Sequence, residues 1–125
     1  MSQQMELPPE MILEIAKKDI DAWKSLSVVY PDVCTTELFE STFLTIIRYE
    51  YRIEYRLDGE LHRRDGPAII WSNGREEWYQ YGRLHRDNGP AITWSNGTQE
   101  WWINDRLYRI NEHIVQNGDI ILCNS

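Results

Sequence analysis

Residues 52–74 read RIEYRLDGELHRRDGPAIIWSNG, and residues 75–97 read REEWYQYGRLHRDNGPAITWSNG. The two stretches agree at 14 of 23 positions. The matches include Leu61/Leu84, His62/His85, Arg63/Arg86, the Gly-Pro-Ala at 66–68 and 89–91, and the Trp-Ser-Asn-Gly at 71–74 and 94–97. Self-similarity at a fixed period is the mark of a repeat architecture, in which one supersecondary unit buries its apolar surface against copies of itself. A third unit begins at Thr98 and decays. Trp101, Leu107 and Arg109 keep their places, Tyr108 replaces the His, and the Gly-Pro-Ala is gone; Asn117-Gly118 restores a turn one residue early.

Each unit predicts a β-hairpin. Asn-Gly between apolar runs is the strongest short signal for a two-residue type I′ turn, whose two central residues both need φ > 0. With Asn73-Gly74 at the tip, Trp71 falls opposite Glu76 and Ile69 opposite Trp78. One face then carries Ile69, Trp71 and Trp78, repeated as Ile92, Trp94 and Trp101, and this is the face expected to be buried. The other carries Ala68, Ile70 and Tyr79, repeated as Ala91, Thr93 and Trp102, and the exchange of Ile70 for Thr93 marks it as partly wet. Smaller turns are expected at Asp58-Gly59, Tyr81-Gly82 and Asn104-Asp105, pairs that each contain a residue tolerant of the left-handed region. The Gly-Pro that follows interrupts the ladder and starts the next strand. The expected architecture is α+β: a short helical cap, then an antiparallel hairpin meander of 23-residue repeats with a degenerate C-terminal capping unit.

Upstream of the repeat, Ile46, Arg48, Glu50, Arg52 and Glu54 alternate with Ile47, Tyr49, Tyr51, Ile53 and Tyr55, the period of a strand. Residues 1–44 read as helical. Leu7-Pro8-Pro9-Glu10 is a helix-start signal, since the first turn has no use for the N–H that Pro lacks and its positive end favours Glu10. Met11, Ile12, Ile15 and Ala16 recur on one helical face. Asp19 or Asp21 is placed to cap a second helix with Ala22, Trp23, Leu26, Val29 and Tyr30 as its stripe, ended by Pro31. A third helix is expected over Thr36 to Phe43, with Leu38, Phe39, Thr42 and Phe43 on its face. Helices this short need tertiary support, and with no Gly/Ser linker before Thr45 they are expected to dock on the first hairpin. Residues 1–44 and 45–125 are thus the two parts of the chain.

The composition is that of a globular protein, with 42% apolar and 26% charged residues, yet it includes six Trp and seven Tyr in 125 residues. The net charge of −7 argues against nucleic-acid and anionic-membrane partners, which require clustered Lys and Arg. Residues 1–50 hold nine acids against four bases, whereas 51–125 hold eleven against nine, and all nine are Arg. Arg suits a sheet rich in aromatic rings, because its planar group stacks on them and pairs with carboxylates. Cys34 and Cys123 are too few and too distant for a disulfide framework or a metal site, which points to free thiols in a reducing, intracellular setting. No run approaches the ~20 apolar residues of a membrane span.

His62 and His85, repeat-equivalent and each just before an Asp, are the most chemical residues in the repeat. They are expected to satisfy a neighbouring unit's backbone or a carboxylate such as Asp65 or Asp87. No other metal-ligating residue recurs with them, so no metal or other cofactor is expected. A repeat spreads identical groups along a line, whereas catalysis needs different groups converging on one point, so the chain is expected not to be an enzyme. The candidate partner-binding residues of the sheet are Tyr55, Tyr79, Tyr81 and Trp102, with Arg56 and Arg83, as an aromatic platform for a protein, a sugar ring or a lipid.

The 23-residue period, the Gly-x-x-His step and the recurrent Trp and Gly resemble the MORN repeat, a β-hairpin array. The closer likeness is to a variant family built on Leu-His-Arg-x-x-Gly-Pro-Ala and Asn-Gly-x-x-Glu-Trp, found in large DNA viruses and some bacteria, and it covers residues 52–109. Leu7 to Ala16 is similar to the opening of an F-box, and Trp23–Tyr30 fits its second helix, over residues 6–34. The resemblance implies a non-enzymatic adaptor whose sheet binds a partner protein and whose head, through Leu7, Pro8, Ile12 and Leu13, docks a Skp-type ubiquitin-ligase subunit. It would then be found in a host cytoplasm or a virion. The alternatives are a viral assembly protein that self-associates through the sheet, and a glycan- or lipid-binding module.

Overall fold

The computed structural model describes residues 7–116 in full and the backbone of 119–122. Asn117-Gly118, expected to restore a turn, and Cys123, the second thiol, lie outside the described residues. The chain divides into two compact units, Met1–Leu44 and Thr45–Ser125.

The first unit holds α1 (Pro9–Ala16), α2 (Ile20–Val29) and α3 (Thr36–Phe43). Pro9 sits in the first turn of α1, and the Pro8 carbonyl accepts the first helical bonds, from Met11 and Ile12. Asp19 caps α2, its carboxylate accepting from Ala22 N at 2.6 Å, and Thr35 caps α3, its hydroxyl accepting from Leu38 N at 3.3 Å. Each cap satisfies an N–H that has no partner within its helix. The core is Ile12, Ala16, Trp23 and Cys34, with Leu13, Leu26, Tyr30, Val33, Leu38, Phe39 and Phe43 packed against it. Trp23 lies 5.8 Å from Phe39 and 5.7 Å, edge-on, from Phe43. The core face of α1 is rotated from the expected stripe. Ile12 and Ala16 are inside, while Met11 and Ile15 are 47% and 40% exposed, as is Leu7 just before the helix. With only two turns, α1 presents one narrow seam to its neighbours, filled by Ile12 and Ala16 with Leu13 beside them. Val29, expected on the stripe of α2, is also exposed.

In the second unit the expected single strand over 45–55 is two strands. β1 (Leu44–Arg48) and β2 (Arg52–Leu57) are joined by a tight connection closed by Tyr49 N donating to Arg52 O at 2.8 Å. A turn built without Gly or Pro leaves alternation unbroken, so the pattern alone does not reveal it. Ten further strands follow: β3 (Glu60–Leu61), β4 (Ile69–Trp71), β5 (Glu76–Glu77), β6 (Tyr79–Gln80), β7 (Arg83–Leu84), β8 (Ile92–Thr93), β9 (Gln99–Ile103), β10 (Arg106–Ile110), β11 (His113–Gln116) and β12 (Asp119–Leu122). The main sheet runs β1-β2-β4-β5-β8-β9-β10-β11-β12, with β3 also on β2, and β6 pairs β7. The pairs with an assigned register, from β2 onward, are all antiparallel. An α+β chain, helices first and antiparallel hairpins after, is therefore what the structure holds.

The type I′ geometry expected at Asn73-Gly74 is found at the small turns instead. At 71–75, Trp71 N donates to Arg75 O and Gly74 N to Trp71 O, which closes a three-residue loop. Gly74 alone is left-handed, at φ 93°, and the Asn73 side chain accepts from Arg75 N at 2.9 Å. This is a type I turn followed by a left-handed glycine, and the copy at 94–98 repeats it. The small turns carry the type I′ signature instead, with both central residues at positive φ: Asp58 51° and Gly59 80°, Tyr81 50° and Gly82 79°, Asn104 47° and Asp105 66°.

The extra loop residue slips the register by one. Ile69 faces Glu77 and Ile70 faces Glu76, where the two-residue turn would have set Ile69 on Trp78. A slip of one moves a strand's side chains to the opposite face. Trp78 therefore leaves the Ile69/Trp71 face and joins Ala68 and Ile70, and Glu77 and Tyr79 take its place. Cross-strand pairing then strings Glu54, Ile69, Glu77, Ile92 and Glu100 into one row across the sheet. Glu54 and Glu77 are 4% and 5% exposed, as deep as Ile69 and Ile92 at 7% and 5%.

Candidate functional site

The face that carries the Glu/Ile row is polar at its centre. Each carboxylate is the hub of a set of donors repeated every 23 residues. Glu54 accepts from Arg52 Nε at 2.7 Å and Arg56 Nε at 2.8 Å. Glu77 accepts from the Trp71 indole at 2.7 Å and the Tyr79 hydroxyl at 3.0 Å, with Arg75 Nε 3.3 Å away. Glu100 accepts from the Trp94 indole and, at 3.0 Å, the Trp102 indole. Burying a carboxylate is costly unless donors surround it. For Glu54, burial pushes the pKa up, but the bonds from Arg52 and Arg56 outweigh it and hold the carboxyl below its ordinary value. The same bond raises the pKa of Arg52. Burial first, then the neighbouring Glu77 charge, pushes the Tyr79 phenol well above its usual range, so it stays protonated and donating.

The other face carries the motif Leu-His-Arg-x-x-Gly-Pro-Ala. Arg56 pairs with Leu61 and Glu54 with Ile69, so residues 62–68 all stand opposite Tyr55 as one large bulge. His62 N donates to Tyr55 O at 3.0 Å and Tyr55 N to Ala68 O at 2.7 Å. The bulge reaches the next unit, with Arg63 N on Tyr79 O and Ala68 N on Glu77 O. Arg63 lies 4.0 Å over the Tyr55 ring and donates to Pro67 O at 3.2 Å and Asp65 at 3.2 Å. Gly66 gives the stacked arginine its room: a Cβ there would stand 2.6 Å from the Arg63 guanidinium carbon and displace it. Residues 85–91 repeat the arrangement opposite Trp78. Arg86 lies 3.8 Å over its ring and donates to Pro90 O at 3.1 Å, against Gly89.

His62 and His85 have structural work in these bulges. His62 Nδ1 accepts from Tyr81 N at 3.0 Å, and His85 Nδ1 accepts from Asn104 N at 3.2 Å, each tying the next unit's small turn to its own. With Nδ1 accepting, the proton of His85 is on Nε2, which donates to Asp87 at 2.7 Å. Among the described residues no three His, Cys, Asp or Glu side chains gather in a way that could hold a metal ion. No helix among them is long and apolar enough to cross a membrane.

The six sheet residues expected to form one platform are divided by the register. Arg56, Tyr79 and Trp102 share the Glu face, each bonded to the carboxylate two residues before it. Tyr55 is on the opposite face beneath Arg63. Tyr81 and Arg83 are exposed at the small turn of the second repeat. The Tyr81 ring packs 4.4 Å from the His62 ring, and its hydroxyl accepts from Arg64 at 3.2 Å. The accessible cluster is thus Tyr81, Arg83 and Arg64, and the last of these sequence reasoning did not single out. In the helical head, Leu7 and Pro8 are exposed, Leu13 is half-buried, and Ile12 is 2% exposed in the core, so Ile12 is not available as a contact residue. Met11 and Ile15 are exposed in its place. The carboxylate hubs were also missed, although Glu54, Glu77 and Glu100 occupy one position in all three units, a signal that outlasts the Gly-Pro-Ala.

Compared with known proteins, the chain matches no family model, no curated protein and no solved structure.

Proposed function

We propose that the chain is a non-enzymatic interaction adaptor: a MORN-like repeat sheet that binds a partner protein, fused to an F-box-like head that docks a Skp-type ubiquitin-ligase subunit. One observation carries the reading. The residues of the repeat with chemical potential, His62, His85, Glu54, Glu77 and Glu100, are each engaged in a bond that recurs with the period. What the first two repeats leave accessible between them is the cluster of Arg64 from the first with Tyr81 and Arg83 from the second, residue types that favour protein contacts. In the head, Met11 and Ile15 are exposed one turn apart on α1 and Leu7 is exposed just before it, an apolar surface suited to a partner helix.

Calorimetry with a purified Skp-type subunit tests the head. Binding is expected, with loss on Met11→Asp, a substitution on that exposed surface. No heat at about 100 µM of each protein, a range that detects any micromolar complex, overturns it. Self-association is the second reading, favoured by β1 and β12 ending the strand order, since strand edges offer unpaired backbone groups. Light scattering that gives a monomer at high concentration removes it.

A further inference from the structure

The third unit keeps the Arg-on-aromatic stack of the first two but lacks what covers it there. Arg109 lies 4.2 Å over the Trp101 ring, as Arg63 lies over Tyr55 and Arg86 over Trp78. In units one and two a seven-residue bulge, 62–68 or 85–91, folds over the stack, and its Gly-Pro supplies a carbonyl to the arginine. In unit three Trp102 pairs with Leu107 and Trp101 with Arg109, so Tyr108 alone bulges and no Gly-Pro follows. Arg109 Nε donates instead to Asn111 O at 2.5 Å. Beside the stack is an open hollow of about 380 Å³, lined by Gln99, Trp101, Arg109, Asn111, Glu112 and His113.

We infer that this hollow is a receptor site for an extended Gly-Pro-containing segment of a partner polypeptide, whose proline carbonyl accepts from Arg109 as Pro67 and Pro90 accept from Arg63 and Arg86. The chemistry is shown twice in the same chain. A glycine lets the backbone approach the guanidinium where a Cβ would collide, at 2.6 and 2.8 Å from its carbon in the two filled copies. Proline holds the segment extended before it binds, which lowers the ordering cost. The Trp101 ring offers the aromatic wall that proline-rich segments favour. The Asn111 side-chain oxygen already accepts from Gln99 N at 2.9 Å, which leaves the Asn111 amide NH2 and the Gln99 side chain at the rim to pair with an extended backbone. The inference rests on reading the sheet as a binding surface, yet it fails separately, because neither the Tyr81 cluster nor the helical head takes part.

The test is an NMR titration of the full chain with the peptide Arg-Asp-Gly-Pro-Ala-Ile, the sequence of residues 64–69, following indole N–H and side-chain amide signals. The Trp101 signal, assigned with Trp101→Phe, and those of Gln99 and Asn111 are expected to shift saturably at about millimolar peptide or below. Arg109→Gln should weaken binding about tenfold, with the other five indole signals reporting that the variant is folded. A peptide with Ala for Pro should bind several-fold more weakly. Absence of any saturable shift in the wild-type chain overturns the proposal, as do shifts centred on other indoles or an affinity unchanged in folded Arg109→Gln.

Discussion

The Trp71 indole donates to the Glu77 carboxylate at 2.7 Å across a three-residue hairpin loop, and the Trp94 indole repeats the bond to Glu100. Each tryptophan ends one unit and each glutamate belongs to the next, so the bond stitches the array together along its length. Removing one partner leaves the other with a buried group to satisfy. A double-mutant cycle with Trp71→Phe and Glu77→Gln, measured by urea unfolding, is expected to give a coupling energy of about 1 kcal/mol. Additive losses would show that the two side chains are only neighbours.

Gly66 and Arg63 form a second dependent pair. Gly66→Ala places a methyl group where the guanidinium now lies, and the arginine must leave the Tyr55 ring and the Pro67 carbonyl. The expected cost is about 1 kcal/mol, that of the displaced stack and hydrogen bond. In an Arg63→Ala background the same substitution should cost much less, since the obstacle is gone. Thermal unfolding of the four proteins reads the difference directly.

Glu54 sets an acid dependence. Its carboxyl is held below its ordinary value in the folded chain by Arg52 and Arg56. A folded pKa below the unfolded one adds stability above the unfolded value and loses it as pH falls through the folded one. The stability difference between wild type and Glu54→Gln is therefore expected to be level above about pH 5 and to shrink below about pH 4, the carboxylate range. A difference that grows on acidification would reverse the assignment.

Much of this was legible from the residues. The period and the hairpins follow from pattern and local chemistry, which also narrow the cap of α2 to Asp19 or Asp21 and the partner of each repeated histidine to a neighbouring backbone or a carboxylate. The register did not, for a reason confined to one side chain. Asn73 was read as a left-handed turn residue, but its amide accepts from Arg75 N, so it serves a longer loop from an ordinary backbone conformation. One residue of slip then divides the expected aromatic platform, turning Tyr79 and Trp102 toward Glu77 and Glu100. Those glutamates escaped notice because a charged residue in a strand reads as solvent-facing, and their donors, Trp71 and Trp94, lie in the preceding unit. Tyr81 at φ 50° is a further surprise, since Asp58 and Asn104, types that tolerate the left-handed region, hold the same place elsewhere.

The repeated glutamates hold the units of the sheet together through their shared donors. Urea unfolding of the single variants Glu54→Gln, Glu77→Gln and Glu100→Gln tests it most directly. Each carboxylate is the shared acceptor of at least two donors, so each substitution is predicted to lower stability by about 1–3 kcal/mol. Functional groups held at a cost to the fold behave in the opposite way, and stability unchanged or raised in these variants would contradict the account.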